Sequence, residues 1–189
     1  MRVGLMIGRF SPFHNGHAKT MFNMIRDCEE SIVLVGRPNR TDPLRVTSEY
    51  RTTFEPWTGS ERRHMVLSLF NVLRFSTGFI EDIHTPDTMV WGEYVMKLLR
   101  EQFTDLIPTD YYAGSQTDAI WMSDFFYKEH LHVIDRDHVS GTDIRTHLEL
   151  GRNDWKSMVP TINHKWVQAG WDKFQEVKLM PEHMHNVDG

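Results

Sequence analysis

Short apolar runs alternate with longer segments of helical periodicity along most of the chain. Residues 1–7 and 31–36, the latter with the unbroken apolar run at 32–35, are typical of buried strands. Between them, residues 15–27 carry apolar side chains three and four positions apart, which predicts an amphipathic helix. Further strands are predicted at 74–83, 111–114 and 131–134, and further helices at 60–73, 86–103 and 118–129. From residue 142 the pattern is helical again, with breaks at Gly151 and Pro160.

This alternation predicts βαβ units, whose right-handed crossovers build a doubly wound, Rossmann-like α/β fold around a parallel sheet. We expect one domain over residues 1–160, with residues 161–189 forming a helical tail that packs on it and ends in disordered residues. Sheets of this kind bind ligands beyond the carboxyl ends of their strands, where the strand order switches. The loop after the first strand is therefore the first place to search for a site.

Composition narrows the classes of partner. The 189 residues include 21 Lys and Arg against 26 Asp and Glu, and the net charge of −5 argues against binding to nucleic acid. No apolar stretch is long enough to predict a membrane span, and the start of the chain does not resemble a secretory signal. A single cysteine, Cys28, cannot form an internal disulfide and favours the cytoplasm.

The loop after the first predicted strand reads GRFSPFHNGH, from Gly8 to His17. His14 and His17 lie three positions apart at the start of the predicted helix, so their side chains share a face. A helix N-terminus offers unpaired N–H groups and partial positive charge, and two imidazoles beside it form a site for polyphosphate oxygens. Gly8 and Gly16 would let a ligand approach the backbone, and Arg9 adds a permanent cation. Taken alone, the histidines also fit a solvated helix start, or a zinc pair that no other ligand cluster supports.

A second segment, VSGTDIR, follows the last predicted strand and ends at Arg145. Ser140 or Thr142 would cap the next helix and place Arg145 in its first turn. The exposed N–H groups and the guanidinium would then grip the outer phosphates of a nucleotide, opposite the two histidines. Alone, this segment is also compatible with a capped helix that carries a surface arginine.

Together the two segments resemble the HxGH and SGTxIR signatures of the nucleotidyltransferase superfamily, which shares its HUP-type fold with class I aminoacyl-tRNA synthetases. The string GRFxPFHxGH is most similar to nicotinamide-nucleotide adenylyltransferases of the archaeal type, although Ser11 stands where many members have glutamine. The motifs follow the family's order over residues 2–160. The resemblance implies that ATP contacts the following residues of the two segments: Gly8, Arg9, Phe10, Gly16, Ser140 and Thr142.

The middle of the chain carries the features that the resemblance connects with the second substrate. The segment PWTGSERR, at residues 56–63, is similar to the family's NPFTxxER, with Ser60 as a helix cap and Arg62 directed at phosphate. Trp91 matches the tryptophan that stacks on the nicotinamide ring, where the alternative is a core residue. Asp82 and Gly114, at the ends of two predicted strands, are the remaining expected contacts.

The sequence also departs from the family at one place. Archaeal members carry a GSAQ-like turn after the second strand, whereas this chain has GRPNR. One arginine of the following loop could then contact the mononucleotide phosphate, and the alternative is that all of them are solvated at the surface. The candidates are Arg37, Arg40, Arg45 and Arg51.

The resemblance implies adenylyl transfer from ATP to nicotinamide mononucleotide (NMN), forming NAD and pyrophosphate, with His14, His17 and Arg145 as the catalytic residues. Mg²⁺ would be held by the ATP phosphates, without metal ligands from protein side chains. Other acceptors, such as phosphopantetheine or flavin mononucleotide, a cytidylyl transfer and a non-catalytic nucleotide sensor are the alternatives. Family members often assemble, which allows a homo-oligomer, but the sequence leaves the oligomeric state open. The preference between NMN and nicotinic acid mononucleotide stays open, as does the protonation of the histidines.

Overall fold

The computed structural model describes residues 1–36, 56–70, 74–81, 83 and 85–178. Its strands are β1 (Val3–Gly8), β2 (Glu30–Gly36), β3 (Phe75–Ile80), β4 (Asp110–Ala113) and β5 (Leu131–Val133). Its α-helices are α1 (Asn15–Asp27), α2 (Gly59–Leu69), α3 (Thr88–Gln102), α4 (Gln116–Ile120), α5 (Gly141–Glu149), α6 (Trp155–Met158) and α7 (His164–Lys178). Single 3₁₀ turns lie at Lys128–His130 and Thr161–Asn163.

The five strands form one parallel sheet in the order β3-β2-β1-β4-β5. The chain moves outward from β1 to β3, returns past β1 and continues through β4 to β5. The direction of winding therefore changes between β1 and β4, which is the switch point at which such sheets bind ligands. The doubly wound parallel fold with a helical C-terminal extension is confirmed.

Alternate residues of the central strands build a core on each face of the sheet. Val33 and Val35 of β2 join one cluster, which α1, α2, α5 and α7 cover, whereas Ile32 and Leu34 join the other, under α3 and the α4 region. Buried parallel strands need apolar side chains on both faces, which explains the unbroken apolar run. None of the helices in the described ranges is long and apolar enough to cross a membrane.

One predicted element is wrong: the helix expected at 118–129 does not form. The α4 helix ends at Ile120, and the chain continues in tight turns with hydrogen bonds between residues three apart. Ala119, Met122 and Phe126 are all buried, so these turns direct the same apolar side chains into the core as a helix would. Their three- and four-residue spacing therefore imitates the period of an α-helix.

The tail helix α7 contributes buried side chains to the core through Val167 and Trp171. The domain boundary at residue 160 stays a prediction. The expected disorder at the end of the tail falls on residues 179–189, which lie outside the described residues.

Candidate active site

The loop between β1 and α1 lies at the switch point and is shaped by a buried aromatic residue. Phe10 has a positive φ of 53° and is 1% exposed, with its ring centroid 4.9 Å from that of His17. A Cβ added to Gly8 would come within 2.8 Å of the Phe10 ring. The buried phenyl ring therefore packs against His17 and fills the space that Gly8 leaves open. Strained backbone of this kind concentrates at functional sites.

His14 and His17 form a reciprocal cap at the start of α1. His14 is the N-cap residue, and its Nδ1 accepts the backbone N–H of His17 at 3.4 Å, while His17 Nδ1 accepts that of His14 at the same distance. The two rings stack with centroids 3.6 Å apart, and the residues are 1% and 7% exposed. Capping therefore holds both imidazoles in one place, beside the unpaired N–H groups of the helix.

Both histidines are neutral in this arrangement. Burial, followed by the nearby Arg136 cation, lowers the pKa of His14 to about 3. Burial, His14 and Arg136 together lower the pKa of His17 well below its ordinary value. Because each Nδ1 accepts a hydrogen bond, each neutral ring carries its proton on Nε2. The pair thus offers two N–H donors without a formal charge, which answers the question of protonation that the sequence left open.

The SGTDIR segment packs directly against the first loop, as the family signatures require. Ser140, rather than Thr142, caps α5 by accepting an N–H of its first turn at 3.1 Å. Arg145 donates to the carbonyl of Ser11 through Nη1 and to Thr142 Oγ1 at 3.1 Å through Nη2. A Cβ on Gly141 would lie 2.5 Å from that same Ser11 carbonyl oxygen. The N-terminus of α5 therefore faces the histidine loop at contact distance.

Sequence reasoning missed Arg136, which occupies the space between the two halves of the site. Its Cβ and carbonyl cover Gly16, and its guanidinium covers Gly114, the two glycines expected to admit a nucleotide. Its Nη2 donates to Asp118, while its Nε is buried without a hydrogen-bond partner. Arg136 follows β5 by three residues. The general rule that such sheets carry ligands beyond the carboxyl ends of their strands could have identified it.

A cavity of about 310 Å³ opens beyond the ends of β1, β2 and β3. Trp91 lies in its wall and meets Trp121 edge to face with centroids 6.5 Å apart, while its contact with a nicotinamide ring stays a prediction. The described lining is otherwise mainly apolar and includes two charged residues, Arg9 and Asp118. Indole faces and a carboxylate suit an aromatic cation, since both attract positive charge.

The structure gives Arg62 a different environment from the expected one. Its side chain is fully buried, and it donates to the carbonyls of Trp57 at 3.1 Å, Gly36 at 2.7 Å and Arg9. Arg62 therefore holds backbone segments together, and its direct contact with phosphate stays a prediction. The cap of α2 is Thr58 and not Ser60, because Thr58 and Glu61 form the capping box.

Several expected contacts lie outside the described residues, namely Asp82, Arg37, Arg40, Arg45 and Arg51. Among the residues that are described, no three His, Cys, Asp or Glu side chains lie close enough together to hold a metal ion.

Comparison with known proteins gives a family and a set of relatives. Residues 5–147 match the family model described as cytidylyltransferase-like. A nicotinamide-nucleotide adenylyltransferase of Methanococcus aeolicus is 24% identical over 156 residues, which is 82% of each chain. Proteins of the same name from Thermococcus sibiricus and Saccharolobus solfataricus are 26% and 25% identical, over 83% and 88% of this chain and 78% and 90% of theirs.

Solved structures share the fold at lower identity. A bifunctional NMN adenylyltransferase/ADP ribose pyrophosphatase from Francisella tularensis, complexed with AMP and an Mn ion, superposes with a TM-score of 0.61 at 17% identity. NadR protein in complex with NAD and AMP-PNP superposes with a TM-score of 0.57 at 14% identity. These alignments cover 93% and 87% of this chain but 49% and 46% of the solved chains, so this chain spans about half the length of each.

Proposed function

The chain belongs to the cytidylyltransferase-like family, and we propose that it transfers an adenylyl group from ATP to NMN, forming NAD and pyrophosphate. The observation that carries this proposal is the loop from Gly8 to His17, which joins the parts of the site. Its His14–His17 pair caps α1, its Ser11 carbonyl accepts from Arg145 of α5, and its first two residues line the cavity walled by tryptophans. The names of the archaeal relatives support the same reaction.

ATP would bind where the two signature segments meet. The start of α1 presents backbone N–H groups together with the Nε2–H donors of His14 and His17, and helix N-termini favour phosphate. Arg145 and Arg136 would supply two guanidinium groups to neutralise and hydrogen-bond the oxygens of the triphosphate. Because Arg136 covers Gly16 and Gly114, the nucleotide would have to contact or displace its side chain to reach those backbone positions. The remaining expected contacts, from Gly8, Arg9, Phe10, Ser140 and Thr142, surround the same point.

NMN would place its pyridinium ring in the cavity. Trp91 offers an indole face for a cation–π contact, and Trp121 closes the same wall. Asp118 and Arg9 also line the cavity, and Asp118 is ion-paired with Arg136, so the indole faces are the features that attract the charged ring. The preference between NMN and nicotinic acid mononucleotide is decided by the acceptor series below.

The transfer needs no covalent intermediate on the protein. An oxygen of the NMN 5′-phosphate forms a bond to the α-phosphorus of ATP while the bond from that phosphorus to the β-bridging oxygen breaks. No proton has to move, since the attacking oxygen is already ionised and pyrophosphate leaves as an anion. His14 and His17 would donate N–H bonds to oxygens whose negative charge grows in the transition state, and the arginines would neutralise the departing pyrophosphate. Mg²⁺, entering with ATP on its phosphate oxygens, would neutralise further charge.

The experiment is a measurement of pyrophosphate release with ATP, Mg²⁺ and one acceptor at a time: NMN, nicotinic acid mononucleotide, phosphopantetheine and flavin mononucleotide. We expect release with NMN and a matching yield of NAD. A parallel series with CTP tests the donor, because the family description refers to cytidylyl transfer. His17→Ala serves as the inactive reference. Lys19→Ala is its matched control, since Lys19 lies on the same helix but pairs with the exposed Asp137.

Release only with another acceptor would keep the phosphate site and overturn the assignment of the cavity. Nucleotide binding without any release would favour a sensor. A cytoplasmic setting, a homo-oligomer and the absence of nucleic-acid partners stay predictions.

A further inference from the structure

We propose that the C-terminal helix α7 is a structural part of the acceptor site. Two buried residues, Trp57 and Arg62, would connect it to the ends of β1 and β2. The inference rests on the proposed function for its kinetic readout, but the contacts that carry it do not depend on the identity of the acceptor.

The first connection joins α7 to Trp57. Trp57 is fully buried, and its indole Nε1 donates to the carbonyl of Val167 at 3.2 Å. A Cβ added to Gly170 would overlap the same indole ring, so the helix and the ring meet without an intervening side chain. Trp171 packs beside it with ring centroids 6.4 Å apart. The position of Trp57 is therefore set by α7, which lies 110 residues away along the chain.

The second connection joins Trp57 to the site through Arg62. The carbonyl of Trp57 accepts the Nε–H of Arg62, and Nη1 of the same guanidinium donates to the carbonyls of Gly36 and Arg9. A buried arginine cannot shed its charge, and leaving its N–H groups unbonded in the interior is costly. The guanidinium therefore holds three separate backbone segments at fixed distances.

Two of the residues whose carbonyls accept hydrogen bonds from Arg62 also line the acceptor cavity. Gly36 and Arg9 both line it, at the ends of neighbouring strands. Movement of either segment changes the shape of the cavity. Arg9 also belongs to the loop that is expected to contact ATP, whereas Gly36 does not. Loosening the bridge should therefore raise KM for the acceptor more than KM for ATP.

Three substitutions test this inference. Gly170→Ala pushes on Trp57 from the helix side, far from the chemistry. Arg62→Lys keeps the charge but loses the planar fork that reaches three carbonyls. Met24→Ala is the control: Met24 is fully buried in the same core cluster but outside the bridge, so its loss destabilises the fold without touching the cavity.

At a temperature where all variants are folded, we expect both bridge variants to raise KM for NMN by roughly 10-fold and KM for ATP by a clearly smaller factor. Met24→Ala should change neither constant despite its lower melting temperature. A bridge variant whose kinetics match those of Met24→Ala would overturn the inference, because its effect would then be general stability alone.

Hydrogen exchange keeps this test separate from the proposed function. We expect faster amide exchange in peptides covering Arg9–His14 and β2 for Gly170→Ala and Arg62→Lys, but not for Met24→Ala. If the unaltered protein releases no pyrophosphate with NMN, the proposed function fails and exchange alone decides this inference. Equal exchange in all three variants would contradict it.

Discussion

His14 and His17 bind each other's backbone: each imidazole Nδ1 accepts the N–H of the other residue, and the rings stack 3.6 Å apart. One arrangement thus starts the helix, fixes the tautomer of both rings and leaves each ring with an Nε2–H donor. The residues that would stabilise charge in the reaction are also the residues that cap α1, so stability and activity have to be measured separately.

A substitution of His14 by asparagine separates the effect on stability from the effect on activity. Asn is a good N-cap residue, so His14→Asn should retain most of the stability, whereas His14→Ala should lose about 1 kcal/mol. Both variants, and His17→Ala, should lower kcat by ~10² or more, because a donor to the developing charge is gone. Thermal unfolding and steady-state kinetics on the same preparations check both statements. Near-normal turnover in folded His14→Asn would contradict the proposed mechanism.

The buried histidines should make the protein less stable in acid. Their folded pKa values are lowered, that of His14 to about 3, whereas an unfolded histidine titrates near pH 6.5. The unfolded chain therefore binds more protons than the folded chain between these values. The stabilisation is fully present above about pH 6.5, and the free energy of unfolding falls as the pH drops through that window. The slope should reach at most about 1.4 kcal/mol per pH unit for each histidine.

Denaturant unfolding at several pH values measures this slope. The double variant His14→Asn with His17→Gln should lose the part of the slope above pH 5, while carboxylates such as Asp110, whose pKa hydrogen bonds lower, still act in stronger acid. An unchanged slope in that variant would show that the histidines are not the titrating groups.

Arg136→Gln tests the arginine that sequence reasoning missed. Removing its charge should raise the pKa of His14 and of His17, since the cation lowers both. It should also weaken ATP binding by roughly 10-fold, the scale of one charge-assisted contact to phosphate. Imidazole NMR titration and calorimetry measure the two effects. Lys19→Gln, which removes a cation from an exposed ion pair, should produce neither.

Trp91→Leu tests the cation–π contact proposed for the acceptor ring. KM for NMN should rise by roughly 2- to 30-fold, while KM for ATP should stay the same. Reduced NMN, whose ring is uncharged, separates π attraction from shape, and the variant should lose the preference for the cationic form. Phe22→Leu is the control, because Phe22 is an aromatic residue of α1 that packs against Phe70, outside the cavity lining. Equal effects of both substitutions would place Trp91 in the core alone.

Gly141→Ala should push apart the two signature segments, the loop from Gly8 to His17 and the segment that ends at Arg145. The added Cβ would meet the Ser11 carbonyl oxygen at 2.5 Å, and backbone cannot move aside as a flexible side chain can. We expect α5 to shift from the histidine loop and kcat/KM for ATP to fall by ~10-fold or more. Gly151→Ala is the control, since Gly151 has a positive φ of 65° but nothing within 4 Å, so it costs stability without disturbing the site. Full activity of Gly141→Ala would contradict the packing described here.

Most helices and strands of the fold could be predicted from local patterns in the sequence. The helix predicted at 15–27 has those bounds in the structure, because apolar spacing and the histidine cap are both local signals. The same rule failed at 118–129, where buried side chains with helical spacing lie on successive turns. The sequence left the cap of α5 open between Ser140 and Thr142, and the structure assigns it to Ser140.

The sequence alone determined the alternation of strands and helices and located the two signature segments, because these features depend on neighbours a few positions away. That phosphates bind there stays a prediction. The tertiary structure alone decided that Arg62 binds carbonyls and that Arg136 covers two glycines, since these contacts join segments far apart in the chain. It also decided that His14 and His17 are neutral, because desolvation is set by what the whole fold packs around them.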